Sequence, residues 1–242
     1  MRATLGEAVS LLAANLHLLT LVSLTVWLPA HVALNYLEYF ARDESGMPGR
    51  ALRIGLVVQV IFDPLVVAAT LAALERIKRA EPVTYALAMT SGARAWGRLM
   101  FVRLVVTVVV VFPALGGAAA LGGARPGIPG AALLFVVSLV TLALLLRFAV
   151  VDSVVVLEGR TALDCWRRAA ELTRGRRWLV FRAAAVLVVL LLSVAVVRAA
   201  PPLDHFVLRV LFDCALSVSQ SLLTIVLFLV YWRARADLQP AR

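Results

Sequence analysis

At 242 residues, 62% hydrophobic and 16% charged, with a mean hydropathy of +0.95, this chain is too apolar to be a soluble domain. Such a surface could not be covered with polar groups in water, whereas lipid requires none, so composition selects an integral membrane protein. The net charge is +10, but the basic residues sit between apolar runs rather than on one soluble face. That placement argues against nucleic acid and for orientation in the bilayer and contact with anionic headgroups.

A helix crosses ~30 Å of hydrocarbon with roughly 20 residues. Six segments meet that length: 16–36, 54–74, 99–121, 131–151, 178–197 and 206–232. Val is common in them, but an unpaired strand in lipid leaves its backbone unsatisfied, and no polar alternation marks a barrel lumen. The expected class is therefore all-α, a polytopic membrane protein with six transmembrane helices. Only Arg2 precedes the first apolar stretch, which is too long for a signal h-region, so the first span is expected to stay attached.

Short amphipathic helices are expected before or between spans at 4–14, 83–96 and 161–174. Thr4, Thr84 and Thr161 are taken as their caps, with Glu7 and Asp164 completing capping boxes at the first and third. The third is the best defined. Asp164/Arg168 and Arg167/Glu171 are i,i+4 pairs, Leu163, Trp166, Ala170 and Thr173 form the opposite face, and Gly175 suits the position after a helix end. Trp166 is expected to anchor this helix at the inner headgroups. The spacings between the three threonines, 80 and 77 residues, suggest three parallel repeats of an interfacial helix plus a transmembrane hairpin.

With the N-terminus taken as cytoplasmic, 18 of the 24 basic residues fall on inner segments. The positive-inside rule then places both termini in the cytoplasm. All basic residues but Lys78 are Arg, and Ala, Val and Gly abound. This GC-rich usage points to a bacterial source and so to a plasma membrane.

The run Val154-Val155-Val156-Leu157-Glu158-Gly159-Arg160, then Trp166-Arg167-Arg168, then Glu171-Leu172-Thr173-Arg174-Gly175-Arg176-Arg177-Trp178, is specific. It resembles the "LEG…A..RS.ELT.G..W" segment of a bacterial family named for the glycerophosphoryl diester phosphodiesterase membrane domain. Tyr231-Trp232-Arg233-Ala234-Arg235-Ala236-Asp237-Leu238 is similar to that family's closing "YYDLR.R.EG.DL", with Arg233 where the family has Asp. Thr4 to Ala8 and Glu81 to Thr84 also fit. The resemblance implies six helices and a membrane-resident helper, without the catalytic domain found in fused members. It implies no activity of its own.

No catalytic constellation is legible, and the chain is expected to be no enzyme: there is no phosphate loop, HExxH or GxSxG. His17, His31 and His205 lack ligand spacing, and Cys165 and Cys214 form no CxxC pair, so neither a metal nor a cofactor is expected. Asp63-Pro64, in the second span, is the feature least expected from packing, since charge there costs ~3 kcal/mol. One reading joins Asp63, Gln59 and the carbonyls freed by Pro64 into a polar notch for a proton, an ion or a headgroup. The other makes it structural, with Asp63 protonated, bonded to a neighbouring helix, or reached by Arg103 or Arg147. Arg103, Arg147 and Arg182 are read as snorkelling residues, with Asp152 able to pair with one of them. Arg209 and Asp213 are expected to pair as i,i+4 neighbours.

The Arg160–Arg182 segment is read as headgroup contact, or as a docking surface for a membrane or cytoplasmic protein partner. Two functions follow. One is a non-catalytic scaffold or accessory component of the membrane. The other is a small transporter or lipid-handling protein using Asp63-Pro64. Gly116, Gly117, Gly122 and Gly123 could serve a dimer interface or pack helices within the chain.

Overall fold

A computed structural model describes residues 2–40, 49–108, 147–160, 162–176, 178–182 and 205–238, with 144 and 185. The chain is an all-α membrane protein. The helices are α1 (Arg2–Ala14), α2 (Leu16–Phe40), α3 (Gly49–Lys78), α4 (Tyr85–Val106), the single turn α5 (Val151–Ser153), α6 (Ala162–Thr173) and α7 (Phe206–Leu238). Residues Val154–Glu158 continue α5 as a π-helical turn. Among the described residues, three helices are long and apolar enough to cross a membrane: Leu16–Leu37, Val57–Lys78 and Phe206–Leu238. They coincide with the first, second and sixth expected spans. Most of the other three, and the glycines at 116–123, lie outside the described residues.

The bundle is organised by two antiparallel pairs. In the first, α3 and α4 are joined by the tight turn at 79–84. Arg79 and Ala80 fold back onto α3, with Glu81 N–H donating to the Arg76 carbonyl at 2.9 Å. Ala80 adopts φ +56° there. Thr84 then caps α4, its hydroxyl accepting from Leu87 N–H at 3.4 Å. The two helices touch at Gly92, where an added Cβ would stand 2.7 Å from the Ala69 backbone. In the second pair, α2 packs on α7. Leu71, Leu74, Leu99, Leu172, Phe228 and Tyr231 fill a core shared by α3, α4, α6 and α7.

Several expectations are corrected. The interfacial helix at 83–96 and the span expected from Leu99 are one continuous helix, Tyr85–Val106. The small buried residues Ala88, Gly92 and Ala95 let it lie close along α3, and no proline interrupts it. Thr4 is not a cap: it lies inside α1 and is buried. Of the three threonines taken as equivalent, Thr84 is a cap and Thr4 is not, while Thr161 and most of the second and third expected hairpins lie outside the described residues. Pro64 does not break α3, which runs unbroken from Gly49 to Lys78. On α6 the buried stripe is Cys165, Ala169 and Leu172, whereas Leu163 is 75% exposed. Trp166 packs against the core, its ring 5.8 Å from that of Phe148, rather than projecting outward as an anchor.

The Gly92 contact gives a direct test. Gly92→Ala is expected to wedge α3 from α4 and cost ~1–3 kcal/mol, as overpacking does. Gly97→Ala, which meets nothing within 4 Å, is expected to leave stability unchanged. Unfolding of both variants in mixed detergent micelles checks this.

Candidate functional site

Asp63 is held. Arg103, nearly five turns into α4, donates through Nη1 to Asp63 on α3. The same guanidinium donates through Nη2 to Asp152 Oδ2 at 2.6 Å and through Nε to Oδ1 at 3.4 Å. A planar fork can grip one carboxylate with two nitrogens and reach a second with the third, which a lysine could not do. The three side chains are 27–29% exposed, so they lie within the bundle but at its edge. Arg103 is therefore no snorkelling residue; it turns inward because two carboxylates wait there. Gln59, expected beside Asp63 in a notch, is exposed instead. Pro64 is buried and has no N–H for the Val60 carbonyl. Trp96 Nε1 donates to the next carbonyl, that of Ile61, at 2.7 Å and ties the proline-loosened turn to α4. Arg147 lies over the Phe148 ring and Arg182 over Trp178.

The second cluster is the family-like segment, which folds around Glu158. Its carboxylate, 11% exposed, accepts from Arg160 Nε at 2.8 Å and from Tyr231 Oη at 3.2 Å, and it pairs with Arg168 at 3.5 Å. Arg235 donates to the same tyrosine oxygen at 3.2 Å. Gly159 takes φ +66°, where a side chain would be strained, and its carbonyl accepts from Arg98 at 3.3 Å. Gly175 takes φ +81° after α6, as its spacing suggested. Arg168 also pairs with Glu171 at 3.3 Å, an i,i+3 contact. Arg176 donates to Asp237. Residues 158–176 and the chain's closing residues thus form one structure, although some 60 positions separate them in sequence. Arg167 and Arg174 face outward, and Arg177 lies outside the described residues.

Two further polar groupings were not foreseen. Glu7 accepts from Lys78 at 2.5 Å and from Arg233, which also donates to Thr4 at 2.7 Å. This joins α1 to the ends of α3 and α7. The hydrogen bond from Lys78, supported by Arg233, holds the Glu7 carboxyl below the usual glutamate range. The other grouping is a ladder between α2 and α7. Asn35 Nδ2 donates to Asp213 at 3.0 Å, His31 Nε2 meets Ser217 Oγ at 2.8 Å, and Ser23 meets Ser221 at 3.3 Å. Since Ser217 donates to the Asp213 carbonyl, His31 is the donor to Ser217. The signal was present as Asp213, Ser217 and Ser221, four residues apart on one face, but small polar residues in an apolar run read as filler.

On α6, burial pushes the Cys165 thiol up to about 11, so at neutral pH it is a packed, unreactive group. Among the described residues no three His, Cys, Asp or Glu gather as metal ligands. An open recess near the α3–α4 turn is lined by Ala72, Glu75, Arg76, Arg79, Glu81 and Ser91, and Asp63 is not among its walls.

Removing Arg103 should leave two carboxylates without their cation. Arg103→Met is expected to cost ~3 kcal/mol, the low end for a buried pair because a quarter of the side chain is exposed. Asp63→Asn keeps the Asp152 grip and should cost less, and it should restore part of the Arg103→Met loss in the double variant; detergent unfolding reads all three. The Glu7 clasp gives a pH dependence. Its folded pKa is depressed, so its contribution is complete above the ordinary glutamate value of ~4.3 and is lost as pH falls through the lower folded value. Hydrogen exchange of α1 should rise across that acid window in the wild type and be already raised, and flat, in Glu7→Gln. Comparison of the chain with family models gave no match, and neither curated proteins nor solved structures gave one.

Proposed function

We propose that this chain is a non-catalytic accessory component of a bacterial plasma membrane, with six spans and both ends in the cytoplasm, that holds a partner rather than transforming a substrate. The observation that carries this reading is Arg103 between Asp63 and Asp152. The acid best placed to serve a pathway is engaged in tying α3 to α4 and α5. The same use of charge recurs at Glu158 and Glu7, where ionic groups join one helix to another. The resemblance of residues 154–178 and 231–238 to the membrane domain described above supports a helper role. The meeting of α1 with the ends of α3 and α7 supports placing both chain ends on one side.

A second reading, a small transporter, has one observation in its favour. One guanidinium neutralises one of two carboxylates, so the trio carries one negative charge that a transported cation could complete. Two variants separate the readings. In native lipid discs, a stoichiometric protein should co-purify with the wild type and with Asp63→Asn, and be lost with Glu158→Gln, which loosens the cytoplasmic segment without touching Asp63. Cation flux into proteoliposomes that Asp63→Asn abolishes, with no stoichiometric protein bound to the wild type, would establish transport instead.

A further inference from the structure

The segment from Arg160 to Arg182 contains more arginine than orientation alone requires, and the structure divides these residues by use. Arg160 and Arg168 belong to Glu158, and Arg176 to Asp237. Arg182 lies 4.9 Å over the Trp178 ring. Arg167 and Arg174 are left pointing outward. They are seven residues apart; Arg174 directly follows the last residue of α6 and its N–H still donates to the Glu171 carbonyl at 3.1 Å, so the helical spacing carries to it and the two lie about 10 Å apart along the axis on one side. Leu163, one turn before Arg167, continues the stripe and is 75% exposed. Beyond Arg174 stands Trp178, 61% exposed and stacked on Phe181. Both carboxylates of α6 are committed: Glu171 pairs with Arg168, and Asp164 is likewise engaged.

We propose that the outer stripe of α6, with Arg167 and Arg174 as its cations and Leu163 and Trp178 as its apolar flanks, is a binding site for one anionic phospholipid of the cytoplasmic leaflet. The chemistry matches part by part. Two guanidiniums grip phosphate oxygens, and each presents a fork suited to them. An exposed leucine and an exposed indole beside them lie against the glycerol and upper acyl region, where amphipathic helices seat their apolar side chains. The inference depends on the membrane reading and is independent of the accessory role.

The test is native mass spectrometry of the full chain from discs of phosphatidylcholine containing increasing phosphatidylglycerol. One phosphatidylglycerol should be retained preferentially. Arg167→Gln and Arg174→Gln should each weaken retention about fivefold, the loss of one basic residue near a charged surface, and the double variant more than either. Arg94→Gln removes an equally exposed charge from α4 and should change nothing. Circular dichroism and elution volume establish that each variant is folded. Equal retention by the double variant and the wild type overturns the proposal. So does an equal loss in Arg94→Gln, which would mean general basicity. Loss of a co-purifying protein from the double variant, with lipid retention unchanged, would make the stripe a protein surface and also overturn it.

Discussion

A bilayer interior offers no hydrogen bonds, and that scarcity decides where the polar side chains of this chain go. Each one placed among apolar neighbours must find its partner within the protein, on its own helix or on another. Arg103 finds two, on α3 and α5, and so fixes three elements with one side chain. Asn35 and His31 find theirs on α7, which sets the register of that helix against α2. Apolar packing alone would let these helices slide past one another. The polar contacts favour one position, in which Asn35 meets Asp213, His31 meets Ser217 and Ser23 meets Ser221 together.

The short stretch from Val151 to Gly159 has a particular place in this scheme. Asp152 faces Arg103, while Glu158 faces Arg168 and Tyr231. The π-helical turn between them adds a residue to the local repeat and turns the second carboxylate toward α6 and α7. Gly159 then reverses the chain so that α6 can fold back. The carboxylate at the bundle's edge and the one in the Glu158 cluster are thus held by one short piece of backbone.

Much of the fold was legible because length and hydropathy are local. Leu16–Leu37, Val57–Lys78 and Phe206–Leu238 follow from uninterrupted apolar runs, Thr84 from its cap position, and Gly175 from the end of α6. Arg103 as a partner for Asp63 was one of several alternatives, since nothing local to either residue chooses between it and Arg147. What stayed hidden depends on which face of a helix looks inward. A span apolar nearly all round carries little such information, so the exposure of Gln59 could not be read. The ladder of Ser23, His31 and Asn35 with Asp213, Ser217 and Ser221 was hidden for the same reason.

The clasp between Glu7 and Arg233 also bears on how the molecule is made. These residues stand 226 positions apart, and Lys78 reaches the same glutamate from the end of α3. During synthesis Glu7 gains its first cation when α3 is finished and its second only when the last helix has emerged. A chain cut before Arg233 would therefore leave Glu7 with Lys78 alone and Thr4 without its guanidinium donor, so that a loss at α7 would be felt at α1.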